Sequence, residues 1–227
     1  MNMQKVFEHY EPKMEFEEIP ASTDGNGVRH YNTPMGKYPS VTTVVGWEKR
    51  KFFAEWRKEN PKESKRCLNR GNVLHELIED YLNNKEINLM SVSPTVATLF
   101  MQIKPALDDL NNIRALEVPL YSHTLGLAGR VDCVAEHNGV LSIVDFKGSN
   151  REKRENDIEN YFLQGCAYAL MWQERTGEPI NEFRILVANE EGSPCQVFSG
   201  KVIDYVKRLF EVIENFKKNQ LIEAKLI

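Results

Sequence analysis

The sequence has little cysteine, and what it has is scattered. Its four cysteines, Cys67, Cys133, Cys166 and Cys195, form no Cys-x-x-Cys pair. That spacing argues against a disulfide framework and a structural zinc site, and reads as buried thiols in a reducing compartment. No stretch approaches the roughly 20 continuous apolar residues that a membrane-spanning helix requires. No basic and then apolar leader opens the chain, whose first residues include Glu8, Glu11, Glu15, Glu17 and Glu18. Positive charge is not in excess either: 29 basic residues face 33 acidic ones, for a net charge of -4. Coating nucleic acid by bulk charge is therefore disfavoured, while a local basic groove stays open because a site works by its local field. No internal repeat and no domain linker stands out. What remains is a cytoplasmic, non-membrane globular chain, with 41% hydrophobic residues over 227 positions, enough for one well-cored domain.

The pattern along the chain changes period twice. Residues 1–39 form an N-terminal arm with turn signals at Asp24-Gly25 and Pro34-Met35-Gly36 and short extended pieces around Tyr31 and Tyr38. Residues 40–111 read as a helical wing. Ser40 to Val45 is β-branched and favours extended structure, with a helix opening at Ser40 as the alternative. Residues 48–69 are helical and basic, with Phe52, Phe53 and Trp56 as a buried stripe. Residues 70–82 form a helix that belongs with the core, marked by Leu74, Leu77, Ile78, Tyr81 and Leu82 and ended by Asn83-Asn84. Another helix covers about 93–110, which Pro105 should bend or break. Residues 112–227 then give strands at 113–121, 126–136 and 140–147, a helix at 157–175, strands at 182–188 and 195–199, and a C-terminal helix. The expectation is a single α/β or α+β domain around a mixed sheet.

The chemistry concentrates on one hairpin. Asn138-Gly139 is a strong turn signal, and symmetric pairing about it sets Asp132 opposite Asp145. Carboxylates facing each other across a ladder lie about 4.5–5.5 Å apart at Cβ. They repel unless a cation sits between them or one binds a proton. Lys147 follows Asp145 by two residues and shares its face of the strand. Two acids and an ammonium on one face make a site for a hard divalent cation, able to activate water and screen a phosphate. From spacing alone, the competing reading is a salt-bridged pair on a solvent-facing hairpin. Glu117 on the preceding strand can face the same cluster. His75 and Glu79 share a helical face, as do Gln164 and Tyr168, and each pair also has an ordinary packing explanation.

These residues, in this order, resemble a known family. Gly129-Arg130-Val131-Asp132, then Ile143-Val144-Asp145-Phe146-Lys147, then Gln164-x-x-x-Tyr168 is similar to the PD-(D/E)XK nuclease superfamily, and within it to the RecB-like exonuclease branch. Arg70-Gly71-x-x-x-His75-x-x-x-Glu79 resembles the histidine motif of that branch. Pro39-Ser40-Val41-Thr42-Thr43 resembles a motif of mitochondrial genome maintenance exonuclease-like and phage proteins. The resemblance implies an αβββαβ core. It implies metal ligation by Asp132, Asp145, His75, Glu117 and the Phe146 carbonyl, with Lys147 as the catalytic lysine and Gln164 and Tyr168 completing the site. On the substrate side the candidates are Arg57, Arg66 and Arg70 of the basic stretch, with Ser40, Arg130 and Tyr168. The implied cofactor is Mg2+, replaceable by Mn2+; some relatives hold an iron-sulfur cluster on four cysteines, a spacing that Cys67 and Cys195 do not recreate, so no cluster is expected. The implied activity is DNA exonuclease action on single strands or free ends, serving replication or recombination alongside partner proteins, from a chain read as a monomer. A structure-selective endonuclease and a non-catalytic DNA-binding protein on the same fold are the alternatives. Gly148-Ser149 departs from the Thr-Ser common in relatives.

Overall fold

A computed structural model describes residues 5–11, 15–25, 27–192 and 194–224. The arm forms three short strands, β1 (Ala21–Thr23), β2 (Arg29–Thr33) and β3 (Gly36–Pro39), paired antiparallel in a small sheet. Helix α1 (Val41–Val45) follows at once. The helical alternative wins over β-propensity here because Ser40 caps it: its Oγ accepts the Thr43 N–H at 3.1 Å. Val41 and Val44 are then buried inward.

After a 3-10 turn at Trp47–Lys49 come α2 (Arg50–Glu59) and α3 (Pro61–Leu82). The expected buried stripe on α2 is corrected: no residue of α2 is buried, and Phe52 and Phe53 are 65% and 45% exposed. Helix α3 starts nine residues earlier than expected, with Pro61 at its first position, where a missing N–H costs nothing. Helix α4 (Pro94–Leu107) is capped by Ser93 and keeps Pro105 inside it, so that proline does not break the helix.

The main sheet contains β4 (Leu110–Ser122), β5 (Leu127–His137), β6 (Val140–Ser149), β7 (Glu182–Asn189) and β8 (Gln196–Lys201), in that spatial order. Helix α5 (Glu159–Thr176) carries the chain from β6 to the parallel strand β7, the crossover that parallel pairing requires. Helix α6 (Val202–Ala224) closes the chain. The β5–β6 turn forms as expected, with Asn138 and Gly139 at φ +51° and +80°.

Each face of the sheet buries its own cluster. Leu74, Ile78 and Tyr81 of α3, with Leu99 and Ile103 of α4, pack against Cys133, Val144, Phe146 and Leu186. On the other face, α5 and α6 pack Phe162, Trp172, Leu209 and Ile213 against Val134, Ile143 and Ile185. Each buried Leu or Ile contributes about 1.5–3 kcal/mol relative to exposure. The two helical layers thereby fix α3 and α5 on opposite sides of β5 and β6. Cys133 and Cys166 are buried, whereas Cys67 and Cys195 are half-buried. Among the described residues, no helix is long and apolar enough to cross a membrane.

Candidate active site

The β5–β6 ladder runs from His137↔Val140 to Cys133↔Val144, which places Asp132 and Asp145 at its next step. That step carries no ladder pair. Instead, Oδ2 of Asp132 accepts the Phe146 N–H at 3.0 Å. The β4–β5 ladder is interrupted at the same level, between Leu116↔Cys133 and Val118↔Val131, where Glu117 faces Asp132. Glu117 sits there at φ +50°, a backbone conformation a non-glycine residue adopts only at a cost. Thus the sheet opens on both sides of Asp132.

Helix α3 lays His75 over this opening. Its Nε2 donates to the Phe146 carbonyl at 2.9 Å. Its Nδ1 faces Glu117 Oε1 at 3.5 Å and Asp132 Oδ2 at 3.8 Å. Ligand atoms of His75, Glu117 and Asp132 all lie within 4.8 Å of one another. A donated Nε2–H leaves the Nδ1 lone pair for a cation, the orientation expected of a ligating imidazole held by a carbonyl. Burial lowers the His75 pKa, but the Glu117 and Asp132 carboxylates outweigh it, so the pKa is raised.

Asp145 and Lys147 form the deeper half. Asp145 is 2% exposed. Its Oδ1 accepts from Lys147 Nζ at 2.6 Å and from Gln164 Nε2 at 2.7 Å. Its Oδ2 is buried with no hydrogen-bond partner. Burial pushes the Asp145 pKa up to about 6; Lys147 opposes the rise and Asp132 adds to it. A buried carboxylate oxygen without a donor, beside a second acid, is the environment a divalent cation satisfies. Asp132, Asp145, Glu117 and His75 therefore fit such an ion, although Asp145 stands outside the tight three-residue group and the Phe146 carbonyl is engaged by His75. Burial lowers the Lys147 pKa, but Asp145 and Asp132 more than compensate, so Lys147 stays an ammonium.

Helix α5 supplies Gln164 and Tyr168, as the four-residue spacing implies. Tyr168 is 3% exposed, and burial holds its pKa well above the usual phenol value. It explains Gly129: a Cβ there would come within 2.6 Å of the Tyr168 hydroxyl. Gly129→Ala should lower stability by about 1–3 kcal/mol, or roughly 2–12 °C in Tm. Adding Tyr168→Phe should recover part of the loss in thermal melts. Sequence reasoning missed Tyr161, whose ring lies 5.4 Å from Lys147 Nζ. Its place three residues before Gln164, on the same helical face, was the available signal.

Several expected substrate contacts are engaged elsewhere. Arg70 is 7% exposed. Its guanidinium donates to Glu190, to Asn150 Oδ1 and to the Gly148 carbonyl, because a buried cation requires acceptors. Arg66 pairs with Glu63 at 2.7 Å and Glu190 at 2.8 Å. Arg70 thereby ties α3 to the ends of β6 and β7, whereas Arg66 makes its ion pairs while exposed. Gly148 fits this packing, since a Cβ would lie 3.3 Å from Leu74. Ser40 is 2% exposed and serves as the α1 cap. Arg130 donates to the Glu117 carbonyl and pairs with Glu18. Arg57 is exposed on α2. An open groove above the cluster is lined by Glu18, Asn72, His75, Glu76, Glu117 and Arg130. Glu79 lies one turn beyond His75, and burial together with Glu117 raises its pKa.

This arrangement coincides with what sequence comparison finds. The profile of the PD-(D/E)XK nuclease superfamily matches residues 96–221. The chain belongs to the PD-(D/E)XK nuclease superfamily. Mitochondrial genome maintenance exonuclease 1 of Homo sapiens is 30% identical over 166 residues, covering 67% of this chain and 47% of that protein. The Xenopus tropicalis protein of the same name is 25% identical over 176 residues, covering 70% of this chain and 51% of its own length. The chain spans about half the length of these relatives. Within the PD-(D/E)XK core, the hairpin acids, the lysine and the α5 glutamine come together on a mixed α/β fold, and α3 adds the histidine.

Proposed function

We propose that this chain is a Mg2+-dependent deoxyribonuclease that degrades DNA from free ends and prefers single strands. The observation that carries the reading is the convergence of His75, Glu117 and Asp132 within 4.8 Å, next to a buried Asp145 whose Oδ2 has no partner. A bound Mg2+ or Mn2+ would supply Lewis-acid polarisation of the phosphate and a more acidic water. Asp132, Asp145, His75 and Glu117 would hold it. Gln164 fixes the rotamer of Asp145 by donating to Oδ1. Lys147, held as an ammonium, is placed to orient the attacking water and to stabilise charge developing on phosphate oxygens.

End dependence is supported by the names of the relatives, which are exonucleases. The single-strand preference is supported by α2. Tyr31 and Trp47 are 5% exposed, and Tyr38 bonds to His123, so these rings are not open platforms for a base. Phe52 and Phe53 on α2 are exposed rings, among Lys51, Arg57 and Lys58. Rings flanked by cations suit unpaired bases and their phosphates. The start of α3 at Pro61 lies roughly 20 Å along that helix from His75, at 1.5 Å per residue, a distance a strand of several nucleotides spans. Replication or recombination proteins are the partners this activity would serve, and the cytoplasm its place.

The test is end-labelled linear single-stranded, circular single-stranded and duplex DNA with Mg2+, Mn2+ or EDTA. We expect loss of the linear single strand, an intact circle and no hydrolysis in EDTA. Cutting of the circle would make the enzyme an endonuclease. Binding without hydrolysis in either metal would make it a non-catalytic DNA-binding protein.

A further inference from the structure

Arg130 lies beside the cluster and lines its groove, where a phosphate contact is the simple expectation. Its hydrogen bonds point elsewhere. One terminal nitrogen donates to the Glu117 carbonyl and the other meets the Glu18 carboxylate of the N-terminal arm. On the ladder Arg130 is opposite Pro119, so its side chain reaches back along β4 to Glu117.

Glu117 needs such a partner. It stands at φ +50° at the step where the β4–β5 ladder carries no pair. Its backbone conformation is strained for a side chain with a Cβ, and its carbonyl accepts from the Arg130 guanidinium. That conformation goes with a carboxylate placed 3.5 Å from His75 Nδ1. A regular strand conformation at this position would re-aim the side chain, since successive strand residues alternate faces. A guanidinium suits the task because its planar fork engages two acceptors with little loss of freedom.

We propose that Arg130 is a positioning residue for the metal centre: it clamps the left-handed backbone of Glu117 so that the carboxylate converges with His75 and Asp132, while Glu18 braces the guanidinium. This inference rests on the metal-dependent nuclease reading. It makes Arg130 act on the cation through Glu117, and it makes the N-terminal arm a part of the site.

The experiment measures Mn2+ binding by calorimetry on the full chain without DNA. It also measures single-stranded DNA binding in EDTA as a function of salt. The variants are Arg130→Met, Arg130→Lys, Glu18→Gln, Glu117→Ala and the Arg130→Met/Glu117→Ala double variant. Arg130→Met should weaken Mn2+ binding about 10–100-fold and raise the Mg2+ concentration needed for half-maximal cleavage by the same factor. DNA affinity in EDTA and its salt slope should stay at the parental values. Arg130→Lys, which keeps one donor, should recover part of the metal affinity, and Glu18→Gln should lose less than Arg130→Met. In the Glu117→Ala background, Arg130→Met should cost nothing further.

An unchanged Mn2+ affinity in Arg130→Met overturns the proposal. So does an added loss in the double variant, or a DNA salt slope lowered by about one phosphate contact. If Arg130→Met does not fold, the Arg130→Lys and Glu18→Gln measurements decide. If the parental protein binds no Mn2+ while still binding DNA, the nuclease reading falls and this inference falls with it. A parental protein that binds Mn2+ normally, with Arg130 variants that do the same, removes this inference alone.

Discussion

Lys147→Ala should slow single-turnover DNA hydrolysis by at least about 100–1,000-fold, the loss expected on removing one preorganised charge from an active site. The reason lies in the position of Lys147 Nζ, 2.6 Å from Asp145 Oδ1. It is the cation nearest the buried acid, and Asp132 and Asp145 both hold it protonated. On the proposed function, a mutation that removes it takes away the charge that would meet the phosphate. It also leaves two acids with no ammonium between them, so the metal-free variant should melt at a lower temperature than the parent. Mn2+ should then stabilise the variant more than it stabilises the parent, because the ion relieves a larger repulsion. Asp145→Ala should be equally inactive, with a smaller response to Mn2+. Labelled DNA digestion and thermal melts with and without Mn2+ read all of these. Parental digestion rates in both variants would place the chemistry elsewhere.

Divalent metal should raise Tm strongly at neutral pH and weakly at acidic pH. A ligand at 100 times its Kd adds about 2.7 kcal/mol, which for a chain of this size is roughly 5–11 °C. Proton competition sets the pH dependence. Burial raises the Asp145 pKa to about 6, and Glu117 and Asp132 raise that of His75 against its burial. Both groups bind a proton more tightly in the folded chain than in the unfolded one. Their protonated forms therefore contribute stability at low pH, and that contribution is lost as pH rises through the folded pKa. Metal needs the opposite states, an ionised carboxylate and a neutral Nδ1. The gap in Tm between metal-loaded and metal-free protein should thus widen from pH 5 to pH 8, with its steepest change near or above pH 6. Taking the difference cancels groups that do not touch the metal, such as Glu63, whose pKa Arg66 lowers to about 2. Asp132→Asn and His75→Ala should flatten the curve. A gap that does not depend on pH would mean the metal binds at other residues.

Much of the site was legible because its elements are local. The Asn138-Gly139 turn fixes the hairpin register, and the observed ladder keeps that register up to Cys133↔Val144. Period two then puts Lys147 with Asp145, and the four-residue spacing on α5 puts Gln164 with Tyr168. The basic stretch was read less well. Its arginines look alike in sequence, yet Arg70 is buried on Glu190 and Asn150 while Arg57 is exposed. The aromatics of this stretch were misplaced too: Phe52 and Phe53, expected in a buried stripe, face solvent. Helical periodicity says which residues share a face, but not whether another layer covers it.

The sequence by itself determined the element order, the hairpin that brings Asp132 level with Asp145, and the residue types able to hold a cation, because each depends on turn chemistry and on periods of two and 3.6 residues. Only the tertiary structure decided that His75 arrives from the opposite layer with Nδ1 toward Glu117 and Asp132, that Glu117 leaves its ladder at φ +50°, and that Arg66, Arg70 and Arg130 are engaged within the protein. Those outcomes depend on which surfaces the two helical layers bury, and a buried charge takes the partner that packing places beside it.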